Sequence, residues 1–133
     1  MATYNKFLPA VDVMNEGMNA ATDAWKIVLA TALANTDTTI TAEVANGNGY
    51  TTGGNTAATT SATTTAGVFK LILASPAVWT ATGAGFTFRY AILYNSTTST
   101  PVGYWDYGSS QVVAAGEIVT VTLDGSNGVY TVQ

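Results

Sequence analysis

Apolar side chains recur at every second position in several separate runs, and this period of two is typical of half-buried β-strands. The runs are WKIVLATAL at 25–33, FKLILA at 69–74, FTFRYAILYN at 86–95, EIVTVTL at 117–123 and the final VYTVQ. Turn signals separate them: GNG at 47–49, TGG at 52–54 and DGSNG at 124–128. No helical pattern lies between the runs, which disfavours a parallel α/β sheet. The sequence predicts a mainly β single domain, an antiparallel β-sandwich or jelly-roll-like fold.

One segment shows helical spacing instead. Its apolar stripe consists of Phe7, Val11, Met14 and Met18. This spacing predicts one short N-terminal helix over 5–18, which either covers the protein's own sheet or docks on a partner. The predicted domains are therefore an N-terminal arm with a short helix (1–18) and a β-sandwich domain (19–133).

The composition excludes several kinds of chemistry. Charged residues make up 9% of the chain, with four Lys and Arg, eight Asp and Glu, and a net charge of −4. Such sparse, acidic charge cannot neutralise phosphates, so we expect no binding to nucleic acid and no polybasic contact with a membrane. The chain has no Cys and no His, which excludes thiolate and imidazole metal sites and the usual catalytic triad. We expect no catalytic activity, no cofactor and no metal.

The first residues, MATYNKFLPAVDVMNEGMNA, lack the basic start and continuous apolar run of a signal peptide. No apolar stretch reaches the length of a membrane span. The surface must be covered largely by Thr, Ser, Asn and Gly, as in a rigid β protein of a particle or of the extracellular space. A protein made in the cytosol and later released, such as a virion component, fits both features.

Arg89 lies inside an aromatic-rich run, where a partly buried guanidinium needs an acidic or carbonyl partner. Asp106 in GYWDYG (103–108) is the nearest acid in a strand-like context. A hairpin joining 86–95 to 101–107 would let the two residues form a bidentate pair that holds the strands together. A contact of Arg89 with a ligand or with another subunit remains an alternative.

The same region is rich in aromatic side chains with polar tips, which suit core packing, interfaces or a sugar platform. They are Tyr90, Tyr94, Tyr104, Trp105 and Tyr107. A carbohydrate site would combine Tyr104, Trp105 and Tyr107 with Arg89 and Asp106. A glycosidase needs two acids at a fixed separation, and the spacing of Asp106, Glu117 and Asp124 does not single out such a pair. Glu117 suits a charge at the start of a strand, and Asp124 suits a turn.

Three other motifs have structural explanations. The Thr-rich segment NTAATTSATTTAG (55–67) is either a flexible loop or an edge strand. The glycines of GNGYTTGG (47–54) suit turns with positive φ, because no Gly-Lys-Ser/Thr follows to make a phosphate loop. Asn95-Ser96-Thr97 matches a glycosylation acceptor, which has meaning only in a secreted protein.

The order of these motifs resembles a family of small tailed-bacteriophage virion proteins, which we identify with capsid decoration (cement) proteins. The resemblance covers nearly the whole chain, from MATYNKF at the start to the Gly-Val strand at the end. Its most specific stretches are GNGYTTGGNT (47–56), FRYAILYN (88–95) and WDYGS (105–109). The segment between Leu33 and Gly47 is short here, which puts any contact made by a longer loop of the relatives in doubt.

The resemblance implies a small β-rich protein, as a homotrimer on the outer surface of an icosahedral head, made in the host cytoplasm. It would bridge major capsid subunits, and no catalytic residues carry over. We expect Tyr4, Phe7, Val11 and Met14 either to anchor the N-terminal arm or to face a partner. The alternative function is a phage tail or receptor-binding module that binds carbohydrate.

Overall fold

The computed structural model describes residues 3–10 and 17–132 of the chain. Apart from Ala10, which has helical conformation at the end of the first range, every regular element within these two ranges is a β-strand. The strands are β1 (Thr3–Lys6), β2 (Trp25–Ala30), β3 (Asn55–Thr56), β4 (Thr59–Thr65), β5 (Val68–Leu73), β6 (Trp79–Thr80), β7 (Phe86–Asn95), β8 (Thr100–Val113), β9 (Ile118–Val119) and β10 (Tyr130–Val132). All strand pairs are antiparallel, so the prediction of a mainly β, antiparallel fold is confirmed.

The strands form three sheets. The largest has five strands in the order β1-β8-β7-β2-β3, the second has the order β10-β5-β4, and β6 pairs with β9. The hairpin β7–β8 forms the middle of the five-stranded sheet, and it joins the two aromatic-rich segments that the sequence predicted to be neighbours.

Both faces of the five-stranded sheet are buried, because alternate residues of β2 point to different cores. Trp25, Ile27 and Leu29 belong to the main core, which also contains Leu71 of β5 and Trp79 of β6. Side chains of all three sheets therefore meet in this core.

The opposite face of β2 carries a second, smaller core. Its buried members are Phe7, Ala10, Val28, Ala30 and Ile92. We call this second cluster the outer core. The N-terminal segment thus covers the outer face of the large sheet.

As a helix over 5–18 the N-terminal prediction is wrong, because residues 5–9 are not helical and helical conformation first occurs at Ala10. Asn5 and Lys6 lie in β1, which pairs with β8, and Leu8 and Pro9 form a turn. Pro9 disfavours a helical conformation at the preceding residue, while the edge of β8 and the outer core offer partners to β1 and Phe7. Residues 11–16 lie outside the described residues. Because β1 belongs to the five-stranded sheet, the described start of the arm 1–18 is part of the β domain.

The Thr-rich segment at 55–67 is mostly an edge strand, β4, rather than a flexible loop. A two-residue turn at Ala66 and Gly67 leads into β5, with φ of 51° and 79°. In the GNGYTTGG loop all four glycines have positive φ, as predicted for turns. At Gly49 and Gly54 an added Cβ would also collide with a backbone carbonyl, of Thr80 and Ile27 respectively.

Candidate functional site

The site residues predicted in β7 and β8 lie around an interruption of the ladder between these two strands. Phe88 pairs with Gln111 and Tyr90 pairs with Asp106, so residues 107–110 of β8 have no partner in β7. Gly108 has a φ of 85°, which suits glycine at this irregular point. The interruption is a large β-bulge, a feature that redirects side chains in a strand.

Arg89 and Asp106 form an ion pair across this bulge. Arg89 Nε donates to Asp106 Oδ1 at 2.8 Å, and the second guanidinium nitrogen donates to Oδ2 at 3.0 Å. The backbone N–H of Gly108 donates to the same Oδ1 at 2.8 Å. The predicted bidentate pair is therefore present, and it joins β7, β8 and the bulge. Its side chains are 36% and 32% exposed, so the pair lies at the protein surface.

The environment of this pair keeps both groups charged. Hydrogen bonds from Arg89, and then from Gly108, hold the pKa of Asp106 below its usual range. The hydrogen bond to Asp106 in turn raises the pKa of Arg89. A carboxyl whose pKa is lowered is ionised at neutral pH and has no proton to donate, so Asp106 does not suit the role of a general acid.

The other two carboxylates weighed for catalysis stabilise turns. Asp124 accepts hydrogen bonds from the N–H groups of Ser126 and Asn127, both at 2.8 Å, and from the Asn127 side chain. Hydrogen bonding from Asn127 and then Ser126 lowers the pKa of Asp124. Glu117 accepts a bond from the N–H of Ala114 at 2.7 Å. The expected structural roles of both residues agree with these contacts.

The predicted aromatic platform is divided between two faces of the sheet. Tyr104 packs on the outer core, where its ring centroid lies 5.1 Å from that of Phe7 and 6.0 Å from that of Tyr90. Trp105 and Tyr107 pack on the main core. Adjacent residues of a strand point to opposite faces, so Tyr104 and Trp105 cannot contact one sugar ring together.

The N-terminal candidates also differ in position. Tyr4 lies opposite Trp105, and the centroids of their rings are 5.1 Å apart. The hydroxyl of Tyr4 covers Gly103, where an added Cβ would collide with the Tyr4 ring. Burial raises the pKa of Tyr4 above its usual range, and the neighbouring Tyr130 adds to this effect. Phe7 is 1% exposed and anchors the segment. Val11 and Met14 lie outside the described residues.

Two concave surfaces were not predicted. A cleft of about 370 Å³ opens beside β1 and is lined by Tyr4, Trp105, Leu123, Asp124 and Val129, among others. A shallower depression of about 250 Å³ lies next to the β8 bulge. Its lining includes Val112 and Ile118, which are 77% and 60% exposed, and we call it the Val112–Ile118 depression. The sequence held a signal for Ile118, because the alternation in EIVTVTL sets it on the face opposite Val119.

The apparent glycosylation motif has a structural role. Asn95 is fully buried, and its Oδ1 accepts hydrogen bonds from the N–H groups of Thr97 and Thr98 at 3.0 and 3.1 Å. Its Nδ2 donates to Asp23 Oδ2 at 2.8 Å. A glycan on this nitrogen would be incompatible with the folded structure, because the nitrogen is buried and already hydrogen-bonded.

Comparisons with known proteins give no relative. No protein-family model matches the chain, and searches of curated proteins and of solved structures return no match. Within residues 3–10 and 17–132, no three acidic side chains are grouped closely enough to hold a metal ion. The same two ranges contain no helix with the length and apolar character needed to cross a membrane.

Proposed function

We propose that this protein is a non-enzymatic structural component of a bacteriophage virion. It decorates the outside of an icosahedral head and stabilises it by bridging neighbouring major capsid subunits. Its partners are the major capsid protein and further copies of itself in a homotrimer. It is made in the cytoplasm of the bacterial host and assembles on the outer capsid surface.

The observation that carries this proposal is the exposed apolar surface of the Val112–Ile118 depression. Two large aliphatic side chains project into solvent here, beside an irregular strand segment fixed by the Arg89–Asp106 pair. Exposed apolar side chains that lie together in one depression, as Val112 and Ile118 do, are typical of a protein-binding site. We infer that the depression faces the major capsid protein.

Two properties of the fold support a role that depends on rigid contact. Both faces of the five-stranded sheet are buried, which supports a β-sandwich with a stiff central layer. Charge is sparse over the whole chain, at 9% of residues, so little desolvation of ions opposes close packing against another protein. Repetition of one modest contact over a symmetric particle then raises the total strength of binding.

The first test is the amount of this protein in purified virions, measured by quantitative mass spectrometry against the major capsid protein. A fixed stoichiometric ratio close to that of the capsid lattice is expected. Absence from the particle, or a few copies only, would contradict the proposal.

The second test addresses the surface. Ile118→Asp and Val112→Asp should weaken binding to particles stripped of this protein, because each places a charge in an apolar contact. Thr131→Asp is the matched control, since Thr131 is also exposed but lies in β10, outside the depression. Equal binding of all three variants would exclude the depression as the docking surface.

A carbohydrate-binding module of a phage tail or receptor-binding protein is the second candidate. The cleft beside β1 favours it, because the partly exposed rings of Tyr4 and Trp105 lie near Asp124 in one concave surface. Trp105→Ala should abolish binding on a glycan array, whereas Tyr104→Ala, on the opposite face, should not. Wild-type protein that binds no glycan would eliminate this candidate.

A further inference from the structure

The free edge of β4 offers a surface for contact between copies of this chain. β4 is the outermost strand of the three-stranded sheet and pairs with β5 on one side only. It has seven residues, whereas the other strands at the sheet edges, β1, β3, β6, β9 and β10, have two to four. An exposed edge presents unpaired N–H and C=O groups to any strand that can add to it.

Natural proteins usually protect such edges with charge, proline, a β-bulge or short length. β4 has a bulge at its start, between Thr59 and Ser61, but the rest of the strand has none of these protections. Its sequence is TTSATTT, and no charged residue occurs between Glu43 and Lys70. Most of its side chains are exposed. The chain thus keeps a long, neutral strand edge open to solvent.

The register of the β4–β5 hairpin identifies which backbone groups point outward. The two-residue turn is flanked by the pair Thr65–Val68, which a hairpin of this kind joins by hydrogen bonds. Hydrogen-bonded and non-hydrogen-bonded pairs alternate along an antiparallel ladder. The N–H and C=O groups of Ala62 and Thr64 therefore point to the free edge.

We propose that β4 pairs antiparallel with β4 of a second copy, about a two-fold axis at Thr63. A two-fold contact requires a surface that is complementary to itself. The regular part of β4 meets this condition, because it runs from Ser61 to Thr65, between a bulge and the turn, and is centred on Thr63. Ala62 of one copy then lies opposite Thr64 of the other, which gives four backbone hydrogen bonds.

The side chains fit the same arrangement. Thr63 lies opposite Thr63 of the second copy, and Thr–Thr pairs across antiparallel strands are favourable. Each copy carries a net charge of −4, yet the paired strands bring no like charges together. A partner with a charged strand would find no complementary charge on β4, so the neutral edge favours its own copy.

A contact of one short strand buries less area than a stable dimer interface, for which about 1,000 Å² is a lower bound. The pairing is therefore weak in dilute solution and becomes populated when copies are concentrated. It is separate from the proposed three-fold association and can coexist with it, and its test does not depend on the proposed function.

The absence of cysteine from the sequence permits a clean cross-linking experiment. In Thr63→Cys the two thiols lie directly opposite each other, with Cβ atoms about 4.5–5.5 Å apart, near the range that a disulfide needs. Thr65→Cys is the matched control on the same face of the same strand. In the proposed register the two copies of residue 65 are about 13 Å apart, four residues along the strand.

Under oxidising conditions at high protein concentration, Thr63→Cys should form disulfide dimers at least about tenfold faster than Thr65→Cys, because pairing raises the effective concentration of its thiols. Adding Thr64→Pro removes an outward N–H that β5 does not use, so the rate should fall to that of the control. Thr64→Lys in place of Thr64→Pro tests the same edge by charge repulsion, should the proline variant fail to fold. Equal rates for the two cysteine variants, or a Thr63→Cys rate unchanged by Thr64→Lys, would overturn the proposal.

Discussion

Asn95 is a single buried side chain that connects three parts of the chain. Its Oδ1 accepts two backbone N–H groups from the turn after β7, and its Nδ2 donates to Asp23, which precedes β2. Asp23 Oδ2 also accepts the N–H of Asn19 at 3.0 Å. The buried polar side chain of Asn95 is tolerated because its oxygen and its nitrogen both have hydrogen-bond partners.

Asn95→Asp should therefore destabilise the protein in a pH-dependent way. The new carboxylate keeps the two accepted bonds but places a negative oxygen against Asp23, and burial adds to this effect, so its folded-state pKa is raised above the ordinary value of about 3.9. The loss in the free energy of unfolding should be small below about pH 4. It should grow as the pH rises from there to the raised pKa, and it should reach about 3 kcal/mol at neutral pH, equivalent to a shift of about two pKa units. Urea unfolding as a function of pH measures it. Asn95→Ala is the control, with a pH-independent loss of about 1–3 kcal/mol; a flat profile for Asn95→Asp would contradict the geometry.

Ala66 offers a stabilising change. It occupies the left-handed region with φ of 51° in the turn between β4 and β5, where Asn is better tolerated than Ala. Ala66→Asn should raise the free energy of unfolding by about 0.5–1 kcal/mol, because left-handed backbone is unfavourable for Ala. Ala58→Asn is a matched control at another exposed alanine, which lacks positive φ. Equal effects at both positions would argue against this turn conformation.

At the scale of elements, β1 is held in place both by its own ladder and by the two residues directly after it. The four residues of β1 pair with β8, and the N–H of Phe7 then donates to the carbonyl of Val102 at 3.0 Å. The next N–H, of Leu8, donates to the carbonyl of Asn35 at 2.7 Å. A truncation of residues 1–18 would therefore remove an edge strand and part of the outer core together, so it cannot separate docking from folding.

Phe7→Ala should cost about 3–5 kcal/mol in the free energy of unfolding, because it leaves a cavity in the outer core. Leu8→Ala is the neighbouring control, and because Leu8 is 51% exposed, its cost should stay within about 0.5 kcal/mol. Chemical denaturation of the two variants makes the comparison. Similar losses in both would mean that Phe7 does not fill the outer core.

The β7–β8 bulge explains why the site was only partly predictable from sequence. Simple alternation puts Phe86, Phe88, Tyr90 and Ile92 on one face of β7. The register shift after Phe88 moves Tyr90 and Ile92 to the outer core while Phe88 stays in the main core. The partnership of Arg89 with Asp106 needed only complementary charge in adjacent strands and was predictable. The position of Tyr104 and Trp105 on opposite faces was also predictable, because neighbouring residues of a strand alternate. The position of the bulge was not predictable, because it depends on tertiary contacts.

At the scale of the whole molecule, β2, β5 and β7 were predictable because their runs alternate, whereas the order of strands in the sheets was not. The helix prediction failed at residues 5–9, where pairing with β8 overrides the local spacing of apolar residues. The short strands β3 and β6 have too few residues for alternation to reveal them, and the alternating run at 117–123 forms only the two-residue strand β9. Burial of Asn95 likewise depends on Asp23, which is distant in sequence.

Among the described residues, the two carboxylates with lowered pKa, Asp106 and Asp124, contribute to the stability of the molecule in acid. Because the folded-state pKa is lowered, their contribution is present above the unfolded value of about 3.9 and is lost as the pH falls through the folded-state pKa. Asp106→Asn should flatten the decline of stability in this acid range. Arg89→Gln should flatten it similarly, and the double variant should add little, as measured by urea midpoints over the pH series. If the stability of both single variants declined with falling pH as steeply as that of the wild type, the Arg89–Asp106 pair would not contribute to acid stability.

The pairing of β1 with β8 also sets the order in which the chain can fold during synthesis. Thr3 lies opposite Asp106, and Trp25 of β2 lies opposite Asn95. The N-terminal strands therefore leave the ribosome long before their partners exist, and the large sheet can form only around the late hairpin β7–β8. Until then Phe7 and the apolar side chains of β2 lack their partners in β7 and β8, so the incomplete chain exposes apolar surface that is prone to aggregation.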